Sequence, residues 1–96
     1  MIIRVFRPTV HPGQHEVFER FLRETAVPFV SSKPGLIAQH VGRPLDGGDE
    51  YTFVTVWKDL DSLKGFAGEH WQEAVIDPSE ESMLAATSIA HFETFD

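Results

Sequence analysis

The sequence predicts one α+β domain whose four strands and two helical regions follow the order β–α–β–β–α–β. Two runs of β-branched and aromatic residues, IIRVFR and YTFVTVWK, are typical of strands. Between them, apolar residues recur at three- and four-residue spacing, as on one face of an amphipathic helix. The chain has 96 residues, which fit a single domain over residues 1–96.

The first part of the chain predicts a strand followed by a long helix. Residues 2–7 form the first strand, which we expect to end at Pro8 because proline has no backbone N–H to donate. A helix then begins at Pro12. Its apolar face comprises Val17, Phe18, Phe21, Leu22, Thr25 and Phe29. Pro28 lies inside this pattern and predicts that the helix kinks or ends near Val27.

A hairpin and a second helix are predicted next. Residues 36–43 alternate loosely and indicate the second strand, and residues 44–50 (PLDGGDE) form a flexible loop. Residues 51–58 are apolar on both faces, which is typical of a central strand. Asp59 or Asp61 then caps a helix. The residues of this helix that we expect to face inward are Leu60, Leu63, Phe66 and Ala67.

The last part of the chain completes the sheet. Residues 70–76 predict a short turn, residues 78–81 a helical turn, and residues 87–95 the fourth strand. Two crossovers around a hairpin give a ferredoxin-like antiparallel sheet of strand order 4-1-3-2, with the helices on one face. The other face would remain apolar and uncovered, so we expect a second copy of the chain to cover it in a homodimer.

Composition excludes several classes of partner. The formal net charge is −7 and no basic cluster occurs, so nucleic acid and anionic membrane are poor partners. There is no cysteine, which excludes disulfides, thiolate nucleophiles and cysteine-ligated metal sites. The N-terminal segment is too short and too polar for a signal peptide, and no apolar run spans a bilayer, so we expect a cytoplasmic protein.

Four segments resemble one known family: VHPGQHEVFERFL, KPGL, YTFVTVWKDLDSLKGF and EHW. Together they resemble the antibiotic biosynthesis monooxygenase family of dimeric α+β barrels over nearly the whole chain. The resemblance implies the same fold and a homodimer. The family includes cofactor-independent oxygenases that act on quinol-like aromatics, haem-degrading members, and proteins without an assigned reaction.

Individual positions both match and depart from the family pattern. Trp57 matches the tryptophan that ends the third strand, and His70 with Trp71 matches a common pair of a histidine and an aromatic residue. Thr55 stands where many members carry an acidic residue, and Phe66 where many carry a polar one. Haem-degrading members carry an asparagine, a tryptophan and a histidine ligand at positions that here are Phe6, Phe66 and approximately Val75. Because these positions depart from the haem-degrading pattern, the chain resembles instead the cofactor-independent members of the family, which implies that no haem or other cofactor is needed.

The candidate catalytic residues are Arg4 and His70. Arg4 would bind a phenolate, and His70 would act as a base near neutral pH. Trp57 would stack on an aromatic substrate, and the other substrate-binding candidates are Phe6, Phe53, Phe66 and Trp71. In the alternative interpretation the aromatic residues form the core, Arg4 extends along the sheet surface, and His70 is a capping or surface residue.

The remaining histidines give no metal site. His11 and His15 are four residues apart and would share a helix face with Glu19, but Pro12 places His11 before the helix. His40 and His91 lie on predicted strands, where hydrogen-bonded core or interface histidines are common, and their roles stay open.

Three functions are compatible with these observations. The first is a cofactor-independent monooxygenase that acts on a small aromatic or quinol-like substrate. The second is a non-catalytic dimeric barrel that binds a small hydrophobic ligand. The third is a dimer with a purely structural role. The departures at Thr55 and Phe66 favour the second over the first, but oxygenation is the most specific activity that the resemblance implies.

Overall fold

The computed structural model of the chain describes residues 1–95. Its elements are β1 (Ile2–Val10), α1 (His15–Phe21), a π-helical turn (Leu22–Ala26), α2 (Val27–Ser31), β2 (Leu36–Gly42), β3 (Thr52–Trp57), α3 (Leu60–Ala67), α4 (Pro78–Glu81) and β4 (Leu84–Glu93). The strands form one antiparallel sheet of order β2-β3-β1-β4. This is the predicted order read from the other edge, so the ferredoxin-like α+β fold is confirmed.

The first strand does not end at Pro8, as the sequence predicted, but continues to Val10. Proline lacks only a donor, and its carbonyl oxygen accepts a hydrogen bond from the backbone N–H of Tyr51 at 2.8 Å. Pro8 also pairs with Thr87 of β4, and the register shifts directly afterwards, between Thr9 and Val10. The proline therefore lies next to an irregularity, where sheets tolerate it.

Of the two outcomes predicted near Val27, a kink or an end, the helix does not end there. The helical path continues through Pro28 to Ser31, and its irregular part is the π-helical turn, which ends at Ala26 directly before Val27. A proline ring clashes with the carbonyl group four residues before it, here that of Glu24. The wider π-helical turn contains Glu24, so it moves that carbonyl group away from the ring.

The last strand begins at Leu84, three residues before its predicted start, and ends at Glu93 rather than at 95. Leu84 pairs with Val10, and the backbone N–H of His11 donates to the carbonyl oxygen of Met83 at 2.9 Å. The first residues of β4, Leu84 to Ala86, have no strong strand propensity. These contacts keep them in the sheet, because pairing with a neighbouring strand outweighs local propensity. The predicted helix cap is confirmed for Asp59, whose carboxylate accepts from the backbone N–H of Ser62.

The two faces of the sheet differ in what covers them. The helices cover one face, where the core contains fully buried Phe18, Trp57 and Leu63. Alternation along the strands places a second apolar set on the opposite face. That set comprises Ile3, Val5, Ala38, Val54, Val56, Ala90 and Phe92. No helix within residues 1–95 has both the length and the apolar composition to cross a bilayer.

Candidate functional site

A cavity of about 340 Å³ lies between the helix-covered face of the sheet, the π-helical turn and the loop that leads into α4. Most of its wall is apolar and aromatic, which is typical of a site for a small organic ligand. The aromatic lining consists of Phe6, Phe21, Phe29, Phe53 and Phe66. Leu22, Thr25 and Ala26 of the π-helical turn also line it, and such turns occur frequently at functional sites.

Arg4 is the cation of this cavity. Strand alternation points its side chain beneath the helices, where it is only 4% exposed. Its guanidinium donates to the carbonyl oxygens of Trp71 at 2.6 Å and Glu73 at 2.9 Å, and its charge lies over the ring of Phe66 at 5.6 Å. Within residues 1–95, none of the ion pairs includes Arg4. Burial lowers the pKa of Arg4 to about 10, so it remains charged at neutral pH.

His91 on β4 faces Arg4 across the strand pair. Its Nε2 lies 2.9 Å from a terminal guanidinium nitrogen of Arg4. Because arginine can only donate, Nε2 is the acceptor and the imidazole is neutral, with its proton on Nδ1. Burial and the charge of Arg4 both lower the pKa of His91, in agreement with this neutral form. The ring also packs edge-on against Trp71 at 5.1 Å.

Glu80 lines the same cavity from α4 and is only 5% exposed. Its Oε1 accepts a hydrogen bond from the backbone N–H of Asp77 at 3.0 Å, as part of a capping box. Burial raises the pKa of the Glu80 carboxyl group. The sequence predicted only a helical turn over residues 78–81. The capping pattern accounts for the residue type, but no sequence signal shows that the first turn of α4 points into a cavity.

The structure brings together four of the predicted site residues, Arg4, Phe6, Phe53 and Phe66, as cavity lining. Trp57 lies behind this wall. It is fully buried, its Nε1 donates to Thr55 Oγ1 at 2.9 Å, and its ring stacks on Phe66 at 5.2 Å.

Two further candidates, His70 and Trp71, lie outside the cavity lining. His70 is exposed in the turn after α3, and Trp71 contributes its backbone carbonyl oxygen to Arg4. The structure therefore does not bring His70 to the cavity. The imidazole that contacts Arg4 is that of His91, whose role the sequence left open, and His40 is exposed on β2.

A second polar cluster surrounds Tyr51, the residue directly before β3. Buried Tyr51 donates its hydroxyl proton to Glu19 at 2.6 Å, and His15 bridges Tyr51 and Asp49 at 3.1 and 2.8 Å. Burial and the hydrogen bond to Glu19 raise the pKa of Tyr51 to about 12, while Arg43 lowers the pKa of Glu19. Each polar group has a partner within the protein, so the cluster links α1 to the loop before β3. Within residues 1–95, no group of side chains could hold a metal ion.

The cavity does not fit haem. Haem iron is held by histidine, cysteine, methionine or tyrosine side chains. None of these residue types lines the cavity within the described part of the chain. The positions compared with haem-degrading proteins, Phe6, Phe66 and Val75, all line the cavity with apolar side chains.

Solved structures share this fold. SnoaB, a cofactor-independent oxygenase from Streptomyces nogalater, is 21% identical over 99% of this chain and 93% of that chain, with a TM-score of 0.72. A MhuD mutant with two manganese protoporphyrin IX molecules bound per active site is 19% identical over 98% and 94%, with a TM-score of 0.74. A conserved protein from Methanosarcina mazei Go1 is 24% identical over 99% and 94%, with a TM-score of 0.76.

These likenesses show the fold alone, and a comparison with curated proteins found no match. A match to a family model shows more than a shared fold, because it identifies the family. It matches residues 1–76, a segment that runs from β1 through α3 and includes Arg4 and the five aromatic residues of the cavity. Since the match covers well over half of the 96 residues, the chain belongs to the antibiotic biosynthesis monooxygenase family.

Proposed function

We propose that this protein is a cofactor-independent monooxygenase that oxidises a small aromatic, quinol-like substrate in the cavity. The observation that carries the proposal is a buried guanidinium at the wall of an aromatic cavity, which makes no ion pair with a carboxylate within residues 1–95. Molecular oxygen reacts slowly with a neutral phenol and much faster with its electron-rich anion. A desolvated cation stabilises that anion far more strongly than water does.

Arg4 has the hydrogen-bonding capacity for this role. A guanidinium carries five N–H groups, and three of them are used by Trp71, His91 and Glu73, which leaves two within the described residues. We assign these two donors to the substrate oxygen. Phe6, Phe53 and Phe66 would contact the aromatic ring, and Trp57 would support Phe66 from behind.

The overall reaction needs no cofactor. A hydroquinone and O2 give a hydroxyquinone and water, so one oxygen atom enters the ring and the other leaves as water. The substrate supplies all four electrons and the protons of the water molecule. The protein then has to bind the substrate, exclude bulk water and move one proton away from the substrate hydroxyl.

The apolar lining also favours a second candidate, a non-catalytic barrel that binds a small hydrophobic ligand. No imidazole lines the cavity within the described residues, so histidine base catalysis there is unsupported. For both candidates we propose a homodimer formed through the uncovered sheet face. We also propose a cytoplasmic location, which is supported by the absence of cysteine.

Oxygen uptake with a panel of hydroquinones tests the proposal. Arg4→Gln removes the charge, so we expect uptake to fall at least about tenfold relative to the unaltered protein. Arg20→Gln is the control, because Arg20 lies on α1 outside the cavity with its side chain 55% exposed and should leave the rate unchanged. The contrary outcome is that the unaltered protein takes up oxygen no faster than uncatalysed autoxidation while aromatic ligands quench its tryptophan fluorescence. In that case the binding candidate replaces the oxygenase.

A further inference from the structure

On the basis of the oxidation proposed above, we infer that Glu80 is the group that accepts the proton of the substrate hydroxyl. Arg4 would hold the resulting phenolate, and the proton would move from the substrate oxygen to a carboxylate oxygen of Glu80. The O–H bond of the substrate breaks and an O–H bond forms on Glu80, without any change in the number of electrons. The catalytic pair would then be Arg4 and Glu80 rather than Arg4 and His70.

The geometry of Glu80 fits this role. The side chain is 5% exposed, lines the cavity, and is fixed at one end because Oε1 accepts from the backbone N–H of Asp77. Within residues 1–95, its other oxygen, Oε2, makes no hydrogen bond, yet it is not among the buried atoms that lack a partner. A carboxylate oxygen that is accessible, unpaired and attached to a buried side chain at a cavity wall is available to a ligand.

The other possible proton acceptors are excluded by their contacts. The lone pair on His91 Nε2 is occupied by Arg4, and Nδ1 carries the ring proton. Asp77 is exposed, and its Oδ1 accepts from the hydroxyl group and the backbone N–H of Ser79, which lowers the pKa of the carboxyl group and makes it a weaker base than Glu80. His70 is exposed in the turn after α3 and does not line the cavity.

The charges favour proton transfer within the cavity. Before transfer, Arg4 is the cation of the site, and the carboxylate of Glu80 is one of two anions at the cavity wall, the other being that of Asp77. After transfer, the phenolate beside Arg4 is the second anion and Glu80 is neutral, so the net charge in the desolvated site is unchanged. Burial raises the pKa of Glu80, and Arg4 lowers that of a bound phenol, so the two values approach each other.

An optical probe tests whether Glu80 accepts the proton, and it does not depend on any reaction with oxygen. 2-Naphthol is neutral in water at neutral pH, and the absorption spectrum of its anion lies at longer wavelength. We expect the bound probe to show the anion spectrum, and Glu80→Gln to bind it within about threefold of the original affinity but as the neutral form. Glutamine keeps the oxygen that caps α4, so the variant should fold. The matched control is Glu81→Gln, the exposed neighbour on the same helix, which should preserve the anion spectrum.

Oxygen uptake separates this inference from the proposed function. We expect Glu80→Gln to lower kcat at least about 100-fold with little change in KM. If the unaltered protein takes up no oxygen but still ionises 2-naphthol through Glu80, the proton acceptor is established and the oxygenase is not.

Four outcomes would overturn the assignment of Glu80, and the last of them would also overturn the proposed function. The first is that Glu80→Gln retains both the rate and the anion spectrum. The second is that His70→Ala loses them instead, which would establish the base predicted from the sequence. The third is that the unaltered protein binds 2-naphthol only in its neutral form. If the probe does not bind at all, the cavity is no phenol site, and the assignment and the proposed function both fail.

Discussion

His91 illustrates how one neighbour determines the protonation state of a side chain. A strand histidine can be a donor, an acceptor or a cation, and the sequence does not distinguish these states. The guanidinium of Arg4 at 2.9 Å leaves only the acceptor role to Nε2. If His91 gained a second proton, two positive groups would meet in a partly desolvated site. The folded chain therefore resists protonation of His91 more than the unfolded chain does.

This resistance predicts a pH dependence of stability. The pKa of His91 is lowered below its ordinary value of 6.5 in the folded state, so the unfolded chain takes up the proton first as the pH falls. The stabilisation is present above about pH 6.5 and is lost as the pH falls toward the lower folded value. Urea unfolding at several pH values should show a steeper loss of unfolding free energy for the unaltered protein than for His91→Gln. His11→Gln, at an exposed position between β1 and α1, is the control and should match the unaltered protein; identical slopes for all three would contradict the prediction.

The cavity residues on strands could be predicted from the sequence, whereas those on loops could not. Arg4, Phe6 and Phe53 follow from alternation along β1 and β3, because a period of two assigns each side chain to a face. Glu80 and His70 lie in or beside irregular segments, where local sequence does not determine direction. Glu80 is buried at the cavity wall, although the sequence predicted only a helical turn there, and His70 is exposed, although the sequence made it a catalytic candidate.

At the scale of elements, the sequence predicted whether a segment forms a strand or a helix more accurately than it predicted the first and last residues of that segment. Every predicted strand and helix exists, but Pro8 and Pro28 do not end theirs. Pro8 lacks only a donor, and its carbonyl oxygen is paired with Tyr51. Pro28 also carries a bulky ring, and a wider helical turn lies directly before it. The early start of β4 depends on pairing with Val10, which lies more than 70 positions away in the chain. Tertiary contacts of this kind are not encoded in local patterns.

The turn between α2 and β2 should be sensitive to a single methyl group. Gly35 has a φ of +85°, and a Cβ built on it would lie 2.1 Å from Ser62 Oγ of α3. Its carbonyl oxygen also accepts from the backbone N–H of Lys58 at 2.8 Å, so the turn has little room to shift. We therefore expect Gly35→Ala to combine backbone strain with a steric clash.

Gly47 separates these two effects. It has a φ of +76° with open space around the added methyl group, so Gly47→Ala reports backbone strain alone. Urea unfolding should show that Gly35→Ala loses at least about 1 kcal/mol more unfolding free energy than Gly47→Ala. Equal losses in the two variants would mean that the contact with Ser62 relaxes without cost.

At the scale of the whole molecule, the uncovered sheet face predicts self-association. Ile3, Val5 and Val54 lie near its centre, and Phe92 is 54% exposed at its side. We expect sedimentation at micromolar concentration to show a species of twice 10.8 kDa.

A charge placed on this face should weaken the dimer. Phe92→Lys should raise the dissociation constant at least about tenfold, because it buries a charge in an apolar interface. Leu45→Lys is the control, since Leu45 is fully exposed in the loop before β3. A monodisperse species near 10.8 kDa for the unaltered protein would refute the homodimer.

The pairing of β1 with β4 also has a consequence for how the chain acquires its binding cavity. Arg4 precedes its partners Trp71, Glu73 and His91 by 67, 69 and 87 positions, so it leaves the ribosome well before them. Until these residues have been synthesised, Arg4 lacks the contacts that hold it at the cavity wall. Closing so long a loop costs entropy before any contact repays it, so the cavity should be a late product of folding.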